Sequence, residues 1–358
     1  MIDYIFTQYP YLSGAAIGAL SGFIHLSLLI VVHELGHLFF GRLSGYEFQS
    51  FQVQQFLWQK EGDKIRFVRK KSGLGGQCVM APPPDPETAK YFAYNAGGGI
   101  FNLLFAALLW LLSLAGAPHV VNIFLIVGIG FNLLLGAAMN LVPLKLNGVP
   151  NDGLNIYTLF KSKDAQRGFY WMMWCATEIG KGRRYRDFES FEIPEDADLN
   201  NYFVAYWLIL EGSRYADRGE YDKALEIYQR VNLDPLPAFY RHSINLMLLS
   251  IYSQFIPDYE KARVIYENKK LKKFLKTWGN EPSFASSLAE YEWFVLKDRE
   301  KAEARIQIVR NGLGKEGPGA RAMLEEGVAL LEEDMRGEET APETPGDCER
   351  DPQWGVNR

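Results

Sequence analysis

Two histidines and a glutamate stand together at positions 33–37, in the order His33-Glu34-Leu35-Gly36-His37. Residues four apart on an α-helix lie one above the other, so His33 and His37 can direct imidazole nitrogens at one metal ion. Glu34, which lies beside them, can take a proton from a water bound to that ion. The motif therefore predicts a metal-dependent hydrolytic site. The alternative is a set of buried polar residues bonded to neighbouring helices, which would be costly at the end of a membrane helix.

A catalytic zinc ion usually takes a third protein ligand and leaves its fourth position to water. Asp152 is the best-placed candidate, because it follows the third apolar segment at the depth where the first apolar segment ends. Glu47 and Glu61 are weaker candidates, in a segment that has the pattern of a solvated hairpin. His25 lies about two turns, or roughly 12 Å, back along the same helix. His119 is expected on the opposite face of the membrane.

The charges of the chain are unevenly distributed. No Lys, Arg, Asp or Glu occurs between Asp3 and Glu34, or between Lys90 and Lys145, whereas charges are dense from Lys145 onward. A helix needs about 20 apolar residues to cross the hydrocarbon core of a bilayer. We therefore expect a membrane-embedded first half with spans at about 13–40, 97–115 and 120–141. The net charge of −5 offers no basic surplus, which argues against nucleic acid as a partner.

Basic residues flank the predicted spans on one side only, and such residues mark the cytoplasmic face. The N-terminus and the turn at Pro118 carry no Lys or Arg, so we expect a multi-pass protein of the cell membrane with an extracytoplasmic N-terminus. The segment 41–90 and the C-terminal half are then cytoplasmic. The basic residues are Arg42, Lys60, Lys64, Arg66, Arg69, Lys70 and Lys71 after the first span, and Lys145, Lys161, Lys163 and Arg167 after the third.

These motifs resemble those of the site-2 proteases, a family of zinc metalloproteases that cut substrates within the membrane. The family pairs HExxH on one membrane helix with a later Asn-x-x-Pro motif followed by Asp-Gly. The sequence has Asn140-Leu141-Val142-Pro143 and then Pro150-Asn151-Asp152-Gly153. Asn151 departs from the family, which more commonly has Leu before Asp-Gly. The resemblance extends over about residues 10–160.

The resemblance implies roles for five residues. His33, His37 and Asp152 are then the ligands of Zn²⁺, and Glu34 is the general base. Asn140 is expected to help hold the reacting centre. The implied fold is mainly α, with a three-helix transmembrane metalloprotease core within a membrane domain of residues 1–165.

Residues Phe48 to Arg69 alternate between apolar and polar side chains, with a turn at Glu61-Gly62-Asp63, which predicts a β-hairpin. The segment Gly75–Met80 resembles the Gly-Gly strand that the family has near its active site. We expect a small membrane-associated β-hairpin at about 48–80, whose exposed edge can hold an extended substrate by main-chain hydrogen bonds. The alternative is a plain amphipathic hairpin that lies on the membrane surface.

The C-terminal half predicts a soluble helical domain. Polar and turn-forming residues at 181–200 indicate a linker, whose bounds we place at 166–200, and acidic composition indicates a disordered tail at 332–358. Between them, residues 201–331 show the small and aromatic spacing of a tetratricopeptide repeat, which stacks helix pairs into a solenoid. The alternative is a nonrepetitive helical domain. The positions with this spacing are Gly212, Tyr215, Gly219, Tyr221, Ala224 and Tyr228, then Tyr259, Ala262 and Tyr266, then Asp298, Ala302 and Ile306.

The favoured function is that of an intramembrane zinc metalloprotease that hydrolyses a peptide bond in a membrane-anchored protein or peptide. Its other expected partners are the lipid bilayer and a cytoplasmic protein regulator that binds the helical domain. One alternative is a catalytically silent scaffold. The presence of all four of His33, Glu34, His37 and Asp152 argues against it. The other is a metal transporter, which would need polar residues to continue through the membrane on both sides of the site. His25 and His119 are instead isolated.

Overall fold

The computed structural model describes residues 10–340 except 63, 70–74, 117 and 147. Helices predominate, and three of those described are long and apolar enough to cross a membrane. This confirms the expectation of a membrane protein with three candidate spans. The helices are α1 (Pro10–Leu43), α2 (Tyr91–Ser113) and α3 (His119–Leu141), the last with a π-helical segment at Asn132–Ala138.

The helix α2 begins at Tyr91, earlier than the predicted start of its span at 97. The helix continues through the run Gly97–Gly99. These small residues allow α1 and α2 to pack closely, and this packing stabilises the helix. A Cβ atom built on Gly97 would lie 2.5 Å from the carbonyl oxygen of Gly36. The crossing of α1 and α2 at this point brings the backbone of α2 against the HExxH segment.

The predicted hairpin at about 48–80 is part of a larger antiparallel sheet with the strand order β3-β2-β1-β4. The fourth strand, β4, pairs with β1 and forms an edge of this sheet. Its residues 76, 78 and 80 face α1, and Met80 is fully buried. The strands are β1 (Glu47–Val53), β2 (Phe56–Glu61), β3 (Lys64–Arg69) and β4 (Gly76–Ala81).

Two short strands, β5 (Lys145–Leu146) and β6 (Val149–Pro150), follow α3 and pair with each other. They lead into α4 (Asp152–Lys161), whose first residue is the candidate third ligand. The turn and this small sheet thereby return the chain to the end of α1.

The expected linker at 166–200 is in part a helix, because α5 spans Lys163–Gly180. Apolar and aromatic residues make up most of this helix, and Phe169 and Tyr170 are buried on one of its faces. The hydroxyl of Tyr170 donates to the carbonyl oxygen of Pro84 at 2.7 Å, which ties α5 to the membrane half. Beyond α5, Phe188 and Phe191 are buried in a further apolar cluster.

The C-terminal half consists of helices that share buried apolar clusters. Alanines of the small and aromatic spacing, Ala224, Ala262 and Ala302, are fully buried. A tetratricopeptide architecture for these helices stays a prediction. The helices are α6 (Tyr202–Asp217), α7 (Tyr221–Arg230), α8 (Ala238–Ser250), α9 (Tyr259–Tyr266), α10 (Lys269–Trp278), α11 (Pro282–Phe294), α12 (Arg299–Gly312) and α13 (Pro318–Thr340).

The tail expected to be disordered at 332–358 begins within α13, which is helical to Thr340. Leu331 and Met335 on this helix are buried against α11 and α12. Its acidic residues include Glu332, which pairs with Arg310 of α12, and Asp334, which accepts a hydrogen bond from Trp293 of α11. An acidic composition therefore did not indicate disorder here. Residues 341–358 of the expected tail lie outside the described residues.

Candidate metal centre

Three ligand atoms from two helices converge at the end of α1. His33 Nε2 and His37 Nε2 are 3.1 Å apart, and they lie 3.1 Å and 3.3 Å from Asp152 Oδ2. The ligand atoms of a tetrahedral zinc ion with bonds of about 2.0–2.1 Å are separated by about 3.3–3.4 Å. The triangle formed by the two imidazoles and the carboxylate therefore has the size of one face of a zinc coordination sphere.

Hydrogen bonds on the far side of each ring fix which nitrogen carries a proton. His37 Nδ1 lies 2.8 Å from the carbonyl oxygen of Tyr94, which can only accept, so Nδ1 carries the hydrogen. His33 Nδ1 lies 2.9 Å from Asn102 Oδ1. In a neutral imidazole this arrangement leaves a lone pair on each Nε2, directed at the centre.

The carboxylate completes a donor set that suits zinc. Among the described residues, Asp152 Oδ2 is buried without a geometrically proper hydrogen bond, although both imidazoles are close to it. Burial raises the pKa of Asp152, but the facing imidazoles of His33 and His37 outweigh burial and hold that pKa below its ordinary value. Asp152 is therefore an anion. When both imidazoles are neutral, their Nε2 lone pairs and this carboxylate oxygen face the centre together, a donor set that fits a divalent cation.

Glu34 lies beside the three ligand atoms and under the edge of the sheet. Its side chain is buried, and the main-chain amide of Cys78 in β4 is hydrogen-bonded to its carboxylate. A Cβ atom on Gly76 would lie 2.6 Å from Glu34 Oε1, so β4 packs directly against this carboxylate. Electrostatic coupling joins Glu34 to both histidines and to Asp152. A proton can therefore be exchanged between Glu34 and a group held at the centre.

The backbone of α2 sets the position of the His33 ring. A Cβ atom on Gly98 would lie 2.5 Å from His33 Cε1 and 2.6 Å from His33 Nε2. Only a glycine at this position leaves room for the ring next to α2. The run Gly97–Gly99, which packs α2 against α1, thus also shapes the centre.

Asn140, the fifth predicted site residue, is turned away from this cluster. Its Nδ2 donates to the carbonyl oxygens of Leu135 and Gly136 at 3.1 Å and 2.9 Å. Both acceptors belong to the π-helical segment of α3, whose widened turn leaves carbonyl groups for a side chain to bond. A catalytic role for Asn140 stays a prediction.

The rival ligands lie elsewhere. Glu47 and Glu61 are on strands of the sheet, where they form ion pairs with Lys60 at 3.8 Å and Arg66 at 3.1 Å. His25 is buried in α1, with its Nε2 3.1 Å from the carbonyl oxygen of Phe124, and the exposed His119 begins α3. Among the described residues, the group of His, Cys, Asp and Glu with metal-ligand spacing is His33, His37 and Asp152.

Asn151 is a further residue of the centre. From the sequence it is recognisable only as a departure from the pattern of the site-2 proteases. Its Oδ1 accepts from the main-chain amides of Leu144 and Leu154 at 3.1 Å and 2.9 Å. Its Nδ2 donates to the carbonyl oxygens of Met139 and Val142 at 2.6 Å and 2.7 Å. One side chain thus caps α4 and holds the end of α3, which places the adjacent Asp152. The combination of Asn with a following helix is a cap signal that the sequence does contain.

Comparison with known proteins agrees with this geometry. The model of Peptidase family M50, the site-2 protease family, matches residues 21–180, a range that contains every residue of the centre. This match supports a protease function, of the metallopeptidase kind. No curated protein and no solved structure matches the chain.

Proposed function

We propose that the chain is an intramembrane zinc metalloprotease that hydrolyses a peptide bond in a membrane-anchored protein. The observation that carries the proposal is the triangle of His33, His37 and Asp152 with Glu34 beside it, at the end of an apolar helix of membrane length. A zinc ion bound there supplies Lewis acidity, which polarises a scissile carbonyl and acidifies water.

The residues of the chain supply the proton transfers and the orientation. A Glu34 carboxylate oxygen accepts the proton of the attacking water and delivers it to the leaving amine nitrogen. Burial of Glu34 beneath β4 keeps bulk water from that proton. Asn102 and the Tyr94 carbonyl hold the two imidazoles in place.

The edge of β4 is the proposed substrate-binding element. In the described sheet β4 pairs with β1 along one side only, and the main-chain amide of Cys78 points toward Glu34. A substrate segment that unwinds from its helix can add to this edge by main-chain hydrogen bonds. Its scissile bond would then pass close to Glu34. This geometry favours extended segments, because peptide carbonyls within a helix are already hydrogen-bonded.

The helical half is proposed to face the cytoplasm and to bind either the cytoplasmic tail of the substrate or a protein regulator. A tetratricopeptide-like solenoid offers a concave surface for such a ligand. Binding there would raise the effective concentration of the substrate at the centre without taking part in the chemistry.

Membrane proteomics of cells that carry the wild type or Glu34→Gln tests the protease function. E34Q removes the base but no ligand, so we expect it to keep zinc and to accumulate an uncleaved single-span protein. If neither cleavage in vitro nor any membrane protein differs between the two, the proposal fails in favour of the silent scaffold. If E34Q instead abolishes zinc flux into vesicles, the transporter is the better account.

A further inference from the structure

A chain of buried hydrogen bonds links the centre to the third span. Asn102 Oδ1 faces His33 Nδ1 at 2.9 Å, and Asn102 Nδ2 lies 2.8 Å from Asn132 Oδ1. Asn132 Nδ2 in turn lies 2.9 Å from the carbonyl oxygen of Gly128. Both asparagines are 0% exposed. Burying a side-chain amide costs free energy unless its hydrogen bonds are formed. Here they are formed, and each asparagine donates through its nitrogen toward Gly128 and accepts through its oxygen on the side of His33.

The direction of this chain is fixed at its far end. The Gly128 carbonyl can only accept, so the amide nitrogen of Asn132 must face it and its oxygen must face Asn102. Asn102 then turns its nitrogen toward Asn132 and toward the carbonyl oxygen of Leu29, which lies at 3.2 Å. Its oxygen is left for His33 Nδ1. The Nδ1 atom must therefore be the one that carries the proton.

We propose that Asn132 and Asn102 are positioning residues that together hold His33 in the tautomer whose Nε2 can bind the metal. The inference rests on the proposed zinc site and adds to it an orienting group on another span. A side-chain amide can rotate by half a turn, unlike the backbone carbonyl that holds His37. Without the oxygen of Asn132, the longer contact of 3.2 Å to the Leu29 carbonyl is what still holds the nitrogen of Asn102 away from His33. Asn102 then presents its nitrogen to His33 more often, which favours a proton on Nε2 and weakens metal binding.

The position of Asn132 in α3 supports this role. Asn132 is the first residue of the π-helical segment Asn132–Ala138. Single π-helical turns within α-helices are frequent at functional sites, because they redirect a side chain. A Cβ atom on Gly136, within the same segment, would lie 2.5 Å from Asn102 Cγ, so the segment also makes room for the Asn102 amide.

A double-mutant cycle on zinc affinity tests the proposal. The full chain is purified in mild detergent, and its zinc Kd is measured by competition with a chelator for the wild type, Asn132→Leu, Asn102→Ala and the double variant. Loss of an outer hydrogen-bond partner of a zinc ligand typically costs 10–100-fold in metal affinity, and we expect N132L to lose about tenfold. Because Asn132 acts through Asn102, N102A and the double variant should have the same Kd.

Two further variants separate positioning from simple destabilisation. We expect the buried carboxyl group of N132D to be protonated, so that its carbonyl oxygen accepts from Asn102 and its O–H donates to the Gly128 carbonyl. It should therefore restore a Kd close to that of the wild type. N122L removes an asparagine from the start of the same helix, away from the centre, and should leave Kd unchanged. If N132L does not fold, the cycle with N132A gives the same decision.

The outcomes distinguish the two proposals. If the wild type and N132L bind zinc equally well, the positioning role is overturned and the proposed function is not. The same holds if the losses of the two single variants add in the double variant. A wild type that binds no zinc overturns the proposed function and this inference with it. Non-additive losses with rescue by N132D establish the role of Asn132 through Asn102.

Discussion

The two histidines of the centre donate their Nδ1 protons to acceptors of different kinds. His37 donates to a backbone carbonyl, which the helix α2 holds rigidly, whereas His33 donates to the side chain of Asn102. The first arrangement follows from helix packing alone, and the second depends on a network of side chains. Substitutions remote from the centre can therefore disturb one histidine and leave the other in place.

Asn151 gives the prediction at this scale. Replacement by Leu, the residue commoner in the site-2 proteases, removes the four hydrogen bonds that join α3 to α4. Because a hydrogen bond contributes about 0.5–1.5 kcal/mol net and these four are only partly buried, we expect N151L to lose about 2–4 kcal/mol of unfolding free energy. Zinc affinity should fall as well, since Asp152 is no longer held.

N151D supplies the matched control, because its oxygens still accept from the amides of Leu144 and Leu154. Denaturation in detergent and chelator competition should rank the wild type first, N151D second and N151L last. An N151L variant as stable and as tightly zinc-binding as the wild type would show that Asn151 does not place Asp152.

Sequence reasoning at this scale finds ligands more readily than the residues that hold them. His33, His37 and Glu34 stand in one helical motif, and Asp152 stands in a second motif at the matching depth. Asn102 bonds a histidine that is 69 residues away, so no local spacing reveals the contact. An asparagine within an apolar membrane-length segment is the remaining signal, since its burial requires a partner.

At the scale of elements, the apolar spans were predictable because length and hydropathy decide them. The topology of the sheet was less predictable. Alternation of apolar and polar residues predicts strands, but it does not say that β4 would pair with β1 across the intervening hairpin. The helix α5 was not predicted because the linker inferred from the polar residues at 181–200 was extended back to 166, over an apolar segment in which Phe169 and Tyr170 are buried.

The helix α11 carries a buried acid whose titration should affect the stability of the helical half. Burial raises the pKa of Glu290 to about 7, although a hydrogen bond from Ser250 lowers it in part. The folded chain thus binds a proton more tightly than the unfolded chain does. The contribution is fully present below the ordinary carboxyl pKa, near 4.5, and is lost as the pH rises through about 7.

Glu290→Gln isolates this contribution, because its side chain is neutral at every pH. We expect the unfolding free energy of E290Q, relative to that of the wild type, to rise by about 3 kcal/mol as the pH is raised from 4.5 to 8. Denaturant unfolding of both proteins across this range measures the difference. A stability difference that does not change with pH would show that Glu290 is ionised in the fold at neutral pH.

At the scale of the whole molecule, α5 joins the membrane half to the helical half. The ring of Phe169 packs edge-to-face against Tyr91 of α2 at 5.8 Å and against Phe203 of α6 at 5.2 Å. The helical half is thus packed on the element that follows the metal centre. The tetratricopeptide architecture of this half stays a prediction. Its ligand stays a proposal, because a helical surface can bind many classes of partner.

Membrane topology is the prediction at this scale. Single cysteines at Lys64 and Lys276 should be labelled from the cytoplasmic side, and a cysteine at Ala115 from the outside, because basic residues favour the cytoplasmic face. The background needs only Cys348→Ser in addition, since Cys78 and Cys175 are buried. Labelling of Lys64 and Lys276 from opposite sides would refute the proposed orientation.

The most direct test of the central claim is the zinc content of the purified chain by elemental analysis. The triangle of His33, His37 and Asp152 predicts one zinc ion per wild-type chain. It predicts little or none in the His33→Ala/His37→Ala double variant, and wild-type content in His119→Ala, whose histidine is exposed at the start of α3. Equal zinc in the double variant and the wild type would contradict the proposed site.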